Sequence, residues 1–367
     1  MRIVYVLTSL GMGGAERQAL AVAHRMAQRG HTVAVLVLRP ALAEQWPTAL
    51  SVVHLGISKT PTSAIVGMAT ACRFVRDFKP DLLHSHSFHA NIAARLLKLI
   101  FPRTTAISTI HNVYEGGWQR MLAYRLTDCL ATRTAAVSQA TAERFVRLHA
   151  LSRERCIVLP NGIDLAAFAP DSNRRALMRC AMGAADSFIW LAAGRLVPAK
   201  DYPNLLRAFA LLRHSRPDAR LWIAGESLGL ESSRIGTLAS DMDLQDSVRW
   251  LGLQRDMPGL FDAADAFVQA SAWEGMPLAV GEAMAMQKPV VVTNVGGLQE
   301  LVGDGGAIVP PRDSNAVASA MLTVMQQSHE SRQAQGWRAR ERIERQFSME
   351  SRADAWEDLY ARLLAPQ

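Results

Sequence analysis

The chain has 367 residues, 49% of them hydrophobic and 20% charged, so it is long enough for two domains of ordinary size with well-filled cores. No apolar run is long enough to span a bilayer and the first residues have the pattern of a strand, not of a signal peptide. Together with four scattered cysteines, these two features predict a cytoplasmic protein with reduced thiols. Residues 1–170 contain 19 Lys and Arg and 9 Asp and Glu, whereas residues 171–367 contain 21 Lys and Arg and 24 Asp and Glu. The excess positive charge of the first half predicts either an anionic partner surface or an ordinary solvated face.

The first half of the chain alternates between predicted strands and helices. Residues 3–7 have the apolar pattern of a strand, residues 15–28 have helical spacing and end at Gly30, and residues 32–38 form a second strand. The pattern continues with a helix ending at 78, a strand at 81–84, a helix at 90–100, a strand at 105–110 and a helix through 121–126. Repeated βα units of this kind predict a parallel, doubly wound sheet.

The second half repeats the pattern. Strands are predicted at 189–193, 220–224, 248–251, 266–269 and 289–293, with helices at 204–212 and around Glu282. The predicted organisation is an N-terminal Rossmann-like domain at 1–164, a linker at 165–186, a C-terminal Rossmann-like domain at 187–347 and a last amphipathic helix within 348–367. Two such sheets facing each other would leave a cleft lined by the carboxyl ends of their strands, where open α/β sheets bind ligands.

The most informative motif lies between two glutamates, Glu274 and Glu282, which are eight residues apart. Glu274 precedes the turn Gly275-Met276-Pro277-Leu278, and Glu282 lies in the first turns of the predicted helix that follows. A loop that runs into a helix N-terminus presents free N–H groups to an anion, and carboxylates accept hydrogen bonds from hydroxyls. Recognition of phosphate and polyol together predicts a sugar nucleotide as the ligand.

Two further loops follow predicted strands and suit a phosphate. The loop after the first strand contains Gly13 and Gly14, which let the backbone approach a phosphate or sugar at the positive end of a helix dipole. The loop after strand 189–193 contains Gly194, Arg195 and, five residues after the arginine, Lys200. An Arg fork and a Lys ammonium are the expected partners of a diphosphate, because they neutralise the charge that builds on it as it leaves. We expect both cations on a surface loop, where their removal would hardly affect folding.

Four histidines lie in or after the predicted strands of the first half. His111 directly follows the strand at 105–110, so its neutral imidazole is expected to hydrogen-bond a sugar hydroxyl or the leaving group. His84, His86 and His89 form a second cluster, in which His-x-His spacing places two rings on one face of a strand. No Asp, Glu or Cys neighbour completes a zinc set, so these three are expected to contact the acceptor or to be structural.

These motifs together resemble those of the retaining glycosyltransferases of family four, which have the two-domain GT-B fold. The resemblance is carried by the runs Glu274-Gly275-Met276-Pro277-Leu278, Glu282-Ala283-Met284-Ala285, Pro289-Val290-Val291-Val292, Gly296-Gly297 and Glu300-Leu301-Val302. It covers nearly the whole chain. The resemblance implies two facing Rossmann-like domains, with the last helix crossing back onto the first of them.

The resemblance also implies roles for the site residues. Arg195 and Lys200 would bind the donor pyrophosphate, Glu282 the ribose hydroxyls and Glu274 the donor sugar, while the amides of 275–278 would contact sugar and phosphate. The family carries a His at the strand end occupied here by His111, and it generally works without a metal, so no metal and no cofactor are expected. Other positions that match the family are Gly225, Glu226, Leu251 and Gly252 at the edge of the base pocket, the turn Asn161-Gly162-Ile163-Asp164, and Ser138.

The resulting hypothesis is a retaining glycosyltransferase that moves a sugar from a nucleotide diphosphate donor, expected to be UDP-linked, to a hydroxyl acceptor. Nucleic acid is not expected as a partner, because no binding motif accompanies the basic residues. Basic amphipathic stretches at 92–103 and 118–133 would either dock on anionic lipid or pack on the sheet, and Arg95, Lys98 and Arg103 are the first choices for a membrane contact. A lipid-linked or polysaccharide intermediate of bacterial surface glycans, used at the inner face of the membrane, would suit this surface.

Two alternatives stay open at this point. A GT-B sugar-nucleotide 2-epimerase would interconvert the donor without an acceptor, and the pattern around Glu274 and Glu282 argues against it. A non-catalytic partner subunit would keep the fold alone, and the intact Arg195 and Lys200 argue against that. The sequence predicts neither the donor sugar, the linkage nor the oligomeric state.

Overall fold

The computed structural model describes residues 1–11, 13–41, 48–184, 187–226 and 230–365, without the side chains of 230–232. The chain divides into two compact units, one formed by Met1–Gly162 together with Met349–Gln367 and the other by Ile163–Ser348. None of the helices in the described part of the chain combines the length and the apolar character needed to cross a bilayer.

The regular elements are numbered in chain order. The strands are β1 (Arg2–Leu7), β2 (Thr32–Val37), β3 (Ser51–His54), β4 (Leu82–His86), β5 (Thr105–Ile110), β6 (Arg133–Ala136), β7 (Cys156–Val158), β8 (Phe188–Ala193), β9 (Ala219–Ala224), β10 (Val248–Gly252), β11 (Ala266–Gln269), β12 (Val290–Thr293) and β13 (Ala307–Val309). The helices are α1 (Gly14–Gln28), α2 (Pro61–Phe78), α3 (Phe88–Ile100), α4 (Trp118–Thr127), α5 (Gln139–Arg147), α6 (Ser172–Ala181), α7 (Tyr202–Ser215), α8 (Leu230–Asp241), α9 (Met257–Ala263), α10 (Leu278–Ala285), α11 (Leu298–Val302), α12 (Ser314–Gln326), α13 (His329–Gln346) and α14 (Met349–Leu364).

The first unit is built on a sheet whose described strands run in the order β3-β2-β1-β4-β5-β6-β7, with every neighbouring pair parallel. The chain leaves β1 toward β2 and β3 on one side and returns at β4 on the other, so the order reverses between β1 and β4. Strands β4 and β5 are buried along their whole length, as expected for a parallel sheet with helices on both faces. The predicted doubly wound sheet is confirmed.

The last helix, α14, belongs to the first unit and packs against α1. Its apolar stripe joins the core formed by β1, β2 and α1 through Met349, Ala353, Trp356, Leu359 and Tyr360. On the polar side of this contact Arg29 lies 2.6 Å from Asp354 and 2.7 Å from Glu357. The amphipathic pattern of the last predicted helix is therefore satisfied by burial of one face on α1.

The second unit has its own parallel sheet, in the order β10-β9-β8-β11-β12-β13. A core cluster of this unit contains the fully buried side chains of Trp190 in β8 and Phe209 in α7. Helices α7 and α12 pack on each other. A second Rossmann-like sheet is thus present, as predicted.

The segment 165–186 was predicted as a linker, and the structure assigns its described residues to the second unit. Helix α6 lies within it and packs against α9. Arg174 forms an ion pair with Asp262, and Arg175 and Arg179 lie 2.5 and 3.1 Å from Asp265. Because α6 contributes these arginines and none of its residues is buried, its attachment is largely electrostatic and gives only a weak hydrophobic pattern in the sequence. Residues 185 and 186 are outside the described residues.

Element boundaries agree well where strands are central. The predicted strands at 105–110 and 266–269 coincide with β5 and β11, whereas β4 continues two residues past the predicted end at His84, to His86. The strands β3, β6, β7 and β13 were not predicted. β3, β7 and β13 are short strands at the edges of their sheets with few buried residues, and β6 is an inner strand of only four residues. Polar His86 ends β4 inside the fold, which an apolar pattern cannot reveal.

Candidate functional site

In the second unit the predicted diphosphate loop and the glutamate loop start from neighbouring strands. Gly194, Arg195 and Lys200 follow β8, and Glu274 follows β11, which pairs with β8 in parallel. The chain continues from β8 to β9 and β10 on one side of the sheet and from β11 to β12 and β13 on the other. This is the topological switch point of the sheet, where open α/β folds bind their ligands.

An ion pair joins the two loops. The Lys200 Nζ lies 2.7 Å from the Glu274 Oε1, and the two side chains are 17% and 9% exposed. Arg195, by contrast, is exposed. The prediction that both cations lie on a free surface loop is therefore correct for Arg195 and wrong for Lys200, whose ammonium is half-buried against a carboxylate that lies 74 positions later in the chain.

The Glu274 carboxylate is held at one oxygen only. Gln269 Nε2 donates to Oε1 at 3.1 Å and Ser271 Oγ donates to the same atom at 2.8 Å, in addition to the Lys200 contact. No described residue donates a hydrogen bond to Oε2. Three donors on Oε1 fix the orientation of the carboxylate and leave its second oxygen available for a ligand hydroxyl. Sequence reasoning missed Gln269 and Ser271, although a polar residue that ends an apolar strand was a visible signal.

Two glycines allow the loops to come this close. A Cβ on Gly225 would lie 1.9 Å from the Gly194 carbonyl oxygen, and a Cβ on Gly296 would lie 1.9 Å from the Glu274 carbonyl oxygen. Gly296 also has φ of +55°, a conformation that favours glycine. The neighbouring Gly297 N–H donates to the Gly275 carbonyl at 2.6 Å. The backbone of the Gly-Gly turn thus packs directly on the glutamate loop and fixes its path.

Helix α10 begins next to Glu274, in the motif that predicted an anion site. Pro277 is its N-cap residue and has no side-chain acceptor to offer the first amides of the helix. Met276 and Leu278 are buried and hold the turn in place. Glu282 lies one turn into α10 and is 3% exposed. The structure thus places the Gly275–Leu278 backbone and both glutamates in one loop-helix unit.

The remaining predicted donor residues lie on the adjacent strand ends. Gly225 and Glu226 follow β9, and the Leu196 N–H donates to the Glu226 carbonyl at 3.0 Å, which ties this loop to that after β8. Leu251 lies in β10, which ends at Gly252, and the Gly225 N–H donates to the Gly252 carbonyl at 2.8 Å. The ends of β8, β9 and β10 are therefore bonded in series along one edge of the sheet.

In the first unit, the glycine loop opens helix α1. Gly13 is the N-cap residue and Gly14 is the first helical residue. The Ser9 hydroxyl donates to Glu16 at 3.2 Å, which links the loop to the first turn. Met12 of this motif is outside the described residues.

The histidines of the first unit take three different environments. His84 is fully buried, with Nδ1 2.6 Å from the Tyr360 hydroxyl and Nε2 2.8 Å from the Thr109 hydroxyl. His86 Nδ1 lies 2.9 Å from His111 Nε2, while His89 lies apart in α3. The His84 and His86 rings lie on one face of β4 with centroids 4.2 Å apart, as the spacing predicted. The structure therefore joins His111 to His86 and gives His84 a structural role.

Burial sets the charge of this cluster. Desolvation lowers the pKa of His84 to about 3 and that of His111 to about 4, and it lowers the pKa of His86 well below its usual range. Glu115, which sequence reasoning missed, accepts from the His111 backbone N–H at 3.2 Å and from the Tyr124 hydroxyl at 2.6 Å. Desolvation raises the pKa of Glu115 to about 7. The imidazoles are therefore neutral near pH 7.

Two other motif positions have structural explanations. Ser138 is the N-cap of α5 and accepts from the Thr141 N–H. In the turn after β7, a Cβ on Gly162 would lie 2.9 Å from the Met349 Cα, so this glycine allows the close passage of α14. Within the described residues no group of three or more His, Cys, Asp or Glu side chains is arranged to hold a metal ion.

Comparison with known proteins follows the division of the chain. Residues 12–167 match the family model Glycosyltransferase Family 4, and residues 183–342 match the model Glycosyl transferases group 1. The UDP-Gal:alpha-D-GlcNAc-diphosphoundecaprenol alpha-1,3-galactosyltransferase of Escherichia coli is 27% identical over 78% of this chain and 77% of its own length. A D-inositol 3-phosphate glycosyltransferase of Saccharomonospora viridis is 34% identical over 64% of this chain, and the match spans just over half of that enzyme, 56%.

Solved structures agree in fold along the whole chain. The Anabaena protein HepE, solved in complex with UDP and glucose, superposes with a TM-score of 0.87 at 20% identity and covers 99% of this chain and 100% of its own. Sucrose-phosphate synthase from Thermosynechococcus elongatus superposes with a TM-score of 0.86 at 22% identity, over 100% of both chains. With both halves matched by family models and both sheets of the Rossmann type, the chain belongs to the family-four glycosyltransferases of the GT-B fold.

Proposed function

We propose that this glycosyltransferase moves a sugar from a UDP-linked donor to a hydroxyl acceptor with retention of the anomeric configuration. The observation that carries the proposal is the Lys200–Glu274 pair at the switch point of the second sheet, with one glutamate oxygen left open. A cation for phosphate and a carboxylate for hydroxyls thus lie within one hydrogen bond of each other. UDP in the HepE complex and in the name of the E. coli relative supports the choice of base.

Each part of the donor has a matching group in the second unit. Arg195 and Lys200 would meet the diphosphate, together with the amides at the start of α10. Glu274 would bind hydroxyls of the sugar through Oε2, and Glu282 would bind those of the ribose. Gly225, Glu226 and Leu251 would border the uracil. No resident metal is needed in this arrangement, because two cationic side chains and a helix start meet the diphosphate charge.

The proposed reaction uses positioning and electrostatics. As the bond from the anomeric carbon to the diphosphate oxygen breaks, negative charge grows on that oxygen, and Arg195 and Lys200 stabilise it. The acceptor hydroxyl attacks from the face that the diphosphate leaves, and a diphosphate oxygen takes its proton. Glu274, already held by three donors on Oε1, serves to hold the sugar and not to attack it. His111 would hydrogen-bond the sugar in the neutral state that its burial imposes.

The two glutamates are expected to separate in a binding experiment. Glu282→Gln should weaken binding of UDP alone about tenfold or more, because a carboxylate bond to ribose hydroxyls is lost, whereas Glu274→Gln should spare UDP and impair turnover of the UDP-sugar. Isothermal calorimetry with UDP, after a thermal-shift screen of UDP-sugars to select the donor, measures the difference. Equal losses of UDP affinity in both variants would contradict the separate roles.

The proposed acceptor is lipid-linked, and a surface of the first unit supports this. Helices α3 and α4 contact each other and expose large apolar side chains, a set that we call the apolar face: Leu96, Leu99, Ile100, Trp118, Leu122 and Leu126. Trp118 is 72% exposed and Leu126 69%. Exposed Arg103 lies three residues after the end of α3, and exposed Arg125 lies in α4. Apolar side chains bordered by basic ones suit an anionic bilayer surface, and the name of the E. coli relative specifies a diphosphoundecaprenol substrate.

The membrane residues differ from those expected from the sequence. Arg95 is fully buried, so it cannot contact lipid, and Lys98 is half-buried and donates to the Thr104 carbonyl at 2.7 Å. Only Arg103 of the three predicted residues is exposed. Helix α3 turns its arginine toward the sheet and its leucines at positions 96 and 99 outward, the reverse of the usual amphipathic arrangement.

Vesicle binding is expected to depend on the apolar face. The protein should co-sediment with vesicles rich in phosphatidylglycerol and dissociate as salt rises, because attraction between exposed charges is screened over roughly 10 Å at 0.1 M. Replacing Leu99, Trp118 and Leu126 by Ser, or Arg103 and Arg125 by Glu, should each reduce the bound fraction. As a matched control, Leu177→Ser removes an equally exposed leucine, 73% exposed in the second unit. If vesicle binding survives both sets of changes, the apolar face is not the membrane contact.

A further inference from the structure

One buried nitrogen of the first unit has no hydrogen-bond partner. His86 is 3% exposed, and its Nε2 meets no donor or acceptor among the described residues. A buried polar atom without a partner is rare in folded proteins, because it loses its hydration without compensation. This atom lies at the carboxyl end of β4, where Leu7 of β1 is paired with His86 at the reversal of the strand order. Ligands of doubly wound sheets bind at this edge.

The other nitrogen of His86 is shared with His111. Nδ1 of His86 and Nε2 of His111 are 2.9 Å apart, and the two rings stack at a centroid distance of 5.2 Å. Burial lowers the pKa of both rings, and the neighbouring histidines lower that of His86 further, so both rings are neutral near pH 7. Two neutral imidazoles at this distance hold one proton between them, because two would clash and none would leave two lone pairs facing each other.

A single shared proton links the two outer nitrogens. If the proton belongs to His86, then His86 Nε2 is a bare acceptor and His111 Nδ1 carries a hydrogen. If the proton belongs to His111, then His86 Nε2 carries the hydrogen and His111 Nδ1 is the acceptor. The pair therefore presents one donor and one acceptor at its ends, and a ligand that fixes one end fixes the other.

We propose that His86 and His111 form a coupled substrate-binding pair, in which His86 Nε2 hydrogen-bonds a hydroxyl of the sugar acceptor and its donor or acceptor character is set by what binds His111. The inference rests on the proposed glycosyl transfer and deepens it. When a hydroxyl of the donor sugar donates to His111 Nδ1, that nitrogen releases its hydrogen to water, the shared proton passes from His86 Nδ1 to His111 Nε2, and His86 Nε2 takes up a proton from water. Both rings stay neutral, and His86 becomes a donor for the second substrate. His86 is thus a positioning residue that makes acceptor binding depend on a bound donor sugar.

The surroundings favour a neutral hydroxyl as the partner of His86. The Tyr5 ring stacks on His86 at 6.0 Å, and the His84 ring lies at 4.2 Å with both of its nitrogens already bonded to hydroxyls. Both oxygens of Glu115 also have donors, the His111 backbone N–H and the Tyr124 hydroxyl. The Tyr5, His84 and His111 rings around His86 are all neutral, so they would not offset the charge of an anionic ligand. A hydroxyl fits both proton arrangements, because it can donate or accept.

Nuclear magnetic resonance of the full-length protein labelled with ¹⁵N-histidine tests the pair directly. Long-range ¹H–¹⁵N spectra distinguish protonated from bare ring nitrogens. In the free protein we expect both rings to be neutral. The UDP-sugar selected by thermal shift, compared with UDP alone, should change both rings together and in opposite senses. The response of His86 should vanish in His111→Asn and persist in the control His214→Asn, which removes an exposed histidine of the second unit. A doubly protonated His86, or a change confined to one ring, would overturn the proposal.

Kinetics provide the second measurement. His86→Asn should leave the affinity for UDP within about twofold and should raise the acceptor KM about tenfold with a smaller effect on kcat, as expected for one lost neutral hydrogen bond. An unchanged acceptor KM, or an equal loss of UDP affinity, would also overturn it. If no UDP-sugar binds at all, the proposed function fails. The spectra of the free protein still decide whether the two rings are neutral and share one proton, so the two failures can be told apart.

Discussion

Replacing Lys200 by Ala is expected to lower kcat/KM for glycosyl transfer by two or more orders of magnitude and also to destabilise the second unit. The catalytic loss follows from removing a charge-assisted contact of ~2–4 kcal/mol to the departing diphosphate. The stability loss has a different origin, because Lys200 pairs with the buried Glu274 carboxylate at 2.7 Å. Without the ammonium, that carboxylate keeps only the Gln269 and Ser271 donors, at a cost of about 1–3 kcal/mol.

Arg195→Ala is the matched comparison, because Arg195 is the other proposed cation of the site and is exposed. It should lower kcat/KM to a similar degree but leave the free energy of unfolding within about 0.5 kcal/mol of the parent value. Urea unfolding and steady-state kinetics of both variants separate the two effects. Parental turnover in either variant would remove that residue from the diphosphate site.

A double substitution isolates the ion pair itself. Glu274→Gln combined with Lys200→Met removes both charges. The double variant should therefore lose less free energy of unfolding than the sum of the losses in the two single variants. Activity should stay low in the double variant, because the diphosphate and the sugar have each lost a contact. If the single losses simply add, the Lys200–Glu274 contact contributes nothing to stability, and the stability expected to be lost in Lys200→Ala must have another source.

The parts of the site that sequence predicted well are those coded locally. The strand 266–269, the turn at Gly275–Leu278 and the helix carrying Glu282 are adjacent in the chain, and their apolar spacing, glycine and proline already determine a loop that enters a helix. The same holds for Gly194 and Arg195 after β8. Strand order then follows from the parallel topology, which brings the ends of β8 and β11 together.

The parts that sequence could not predict depend on contacts between distant residues. The partner of Lys200 lies in another βα unit, and the partner of His84 is Tyr360 in α14, 276 positions away. Histidine at the end of an apolar strand carries no local sign of whether it faces a ligand, a hydroxyl or another histidine. His84 faces a hydroxyl, whereas His86 and His111 face each other. Only the assembled sheet determines these environments.

Arg95 shows the same limit for charged residues. Its position in a basic amphipathic stretch predicted a membrane contact, yet its side chain is fully buried beneath α3. The guanidinium donates to the hydroxyls of Ser108, Thr127 and Thr134 and to the Tyr124 carbonyl, at 2.8 to 3.2 Å, and lies 5.1 Å from the Tyr124 ring centroid. Desolvation lowers its pKa, and Coulombic attraction to Tyr124, Asp128, Cys129 and Glu115 offsets this only in part.

Arg95→Ala is therefore expected to destabilise the first unit by about 3–5 kcal/mol, because it opens a large buried cavity and leaves four oxygens without their donor. Hydrogen exchange followed by mass spectrometry should show lost protection in β4 and β5 while β8 in the second unit stays protected, since opening free energies are local. The control is Arg103→Ala, an exposed arginine near the end of the same helix, which should change the free energy of unfolding by less than about 0.5 kcal/mol. If Arg95→Ala changed the free energy of unfolding as little as the control does, the buried hydrogen bonds of Arg95 would only offset the cost of burying its charge. In that case Arg95→Met, which fills most of the cavity without a charge, should be more stable than the parent protein.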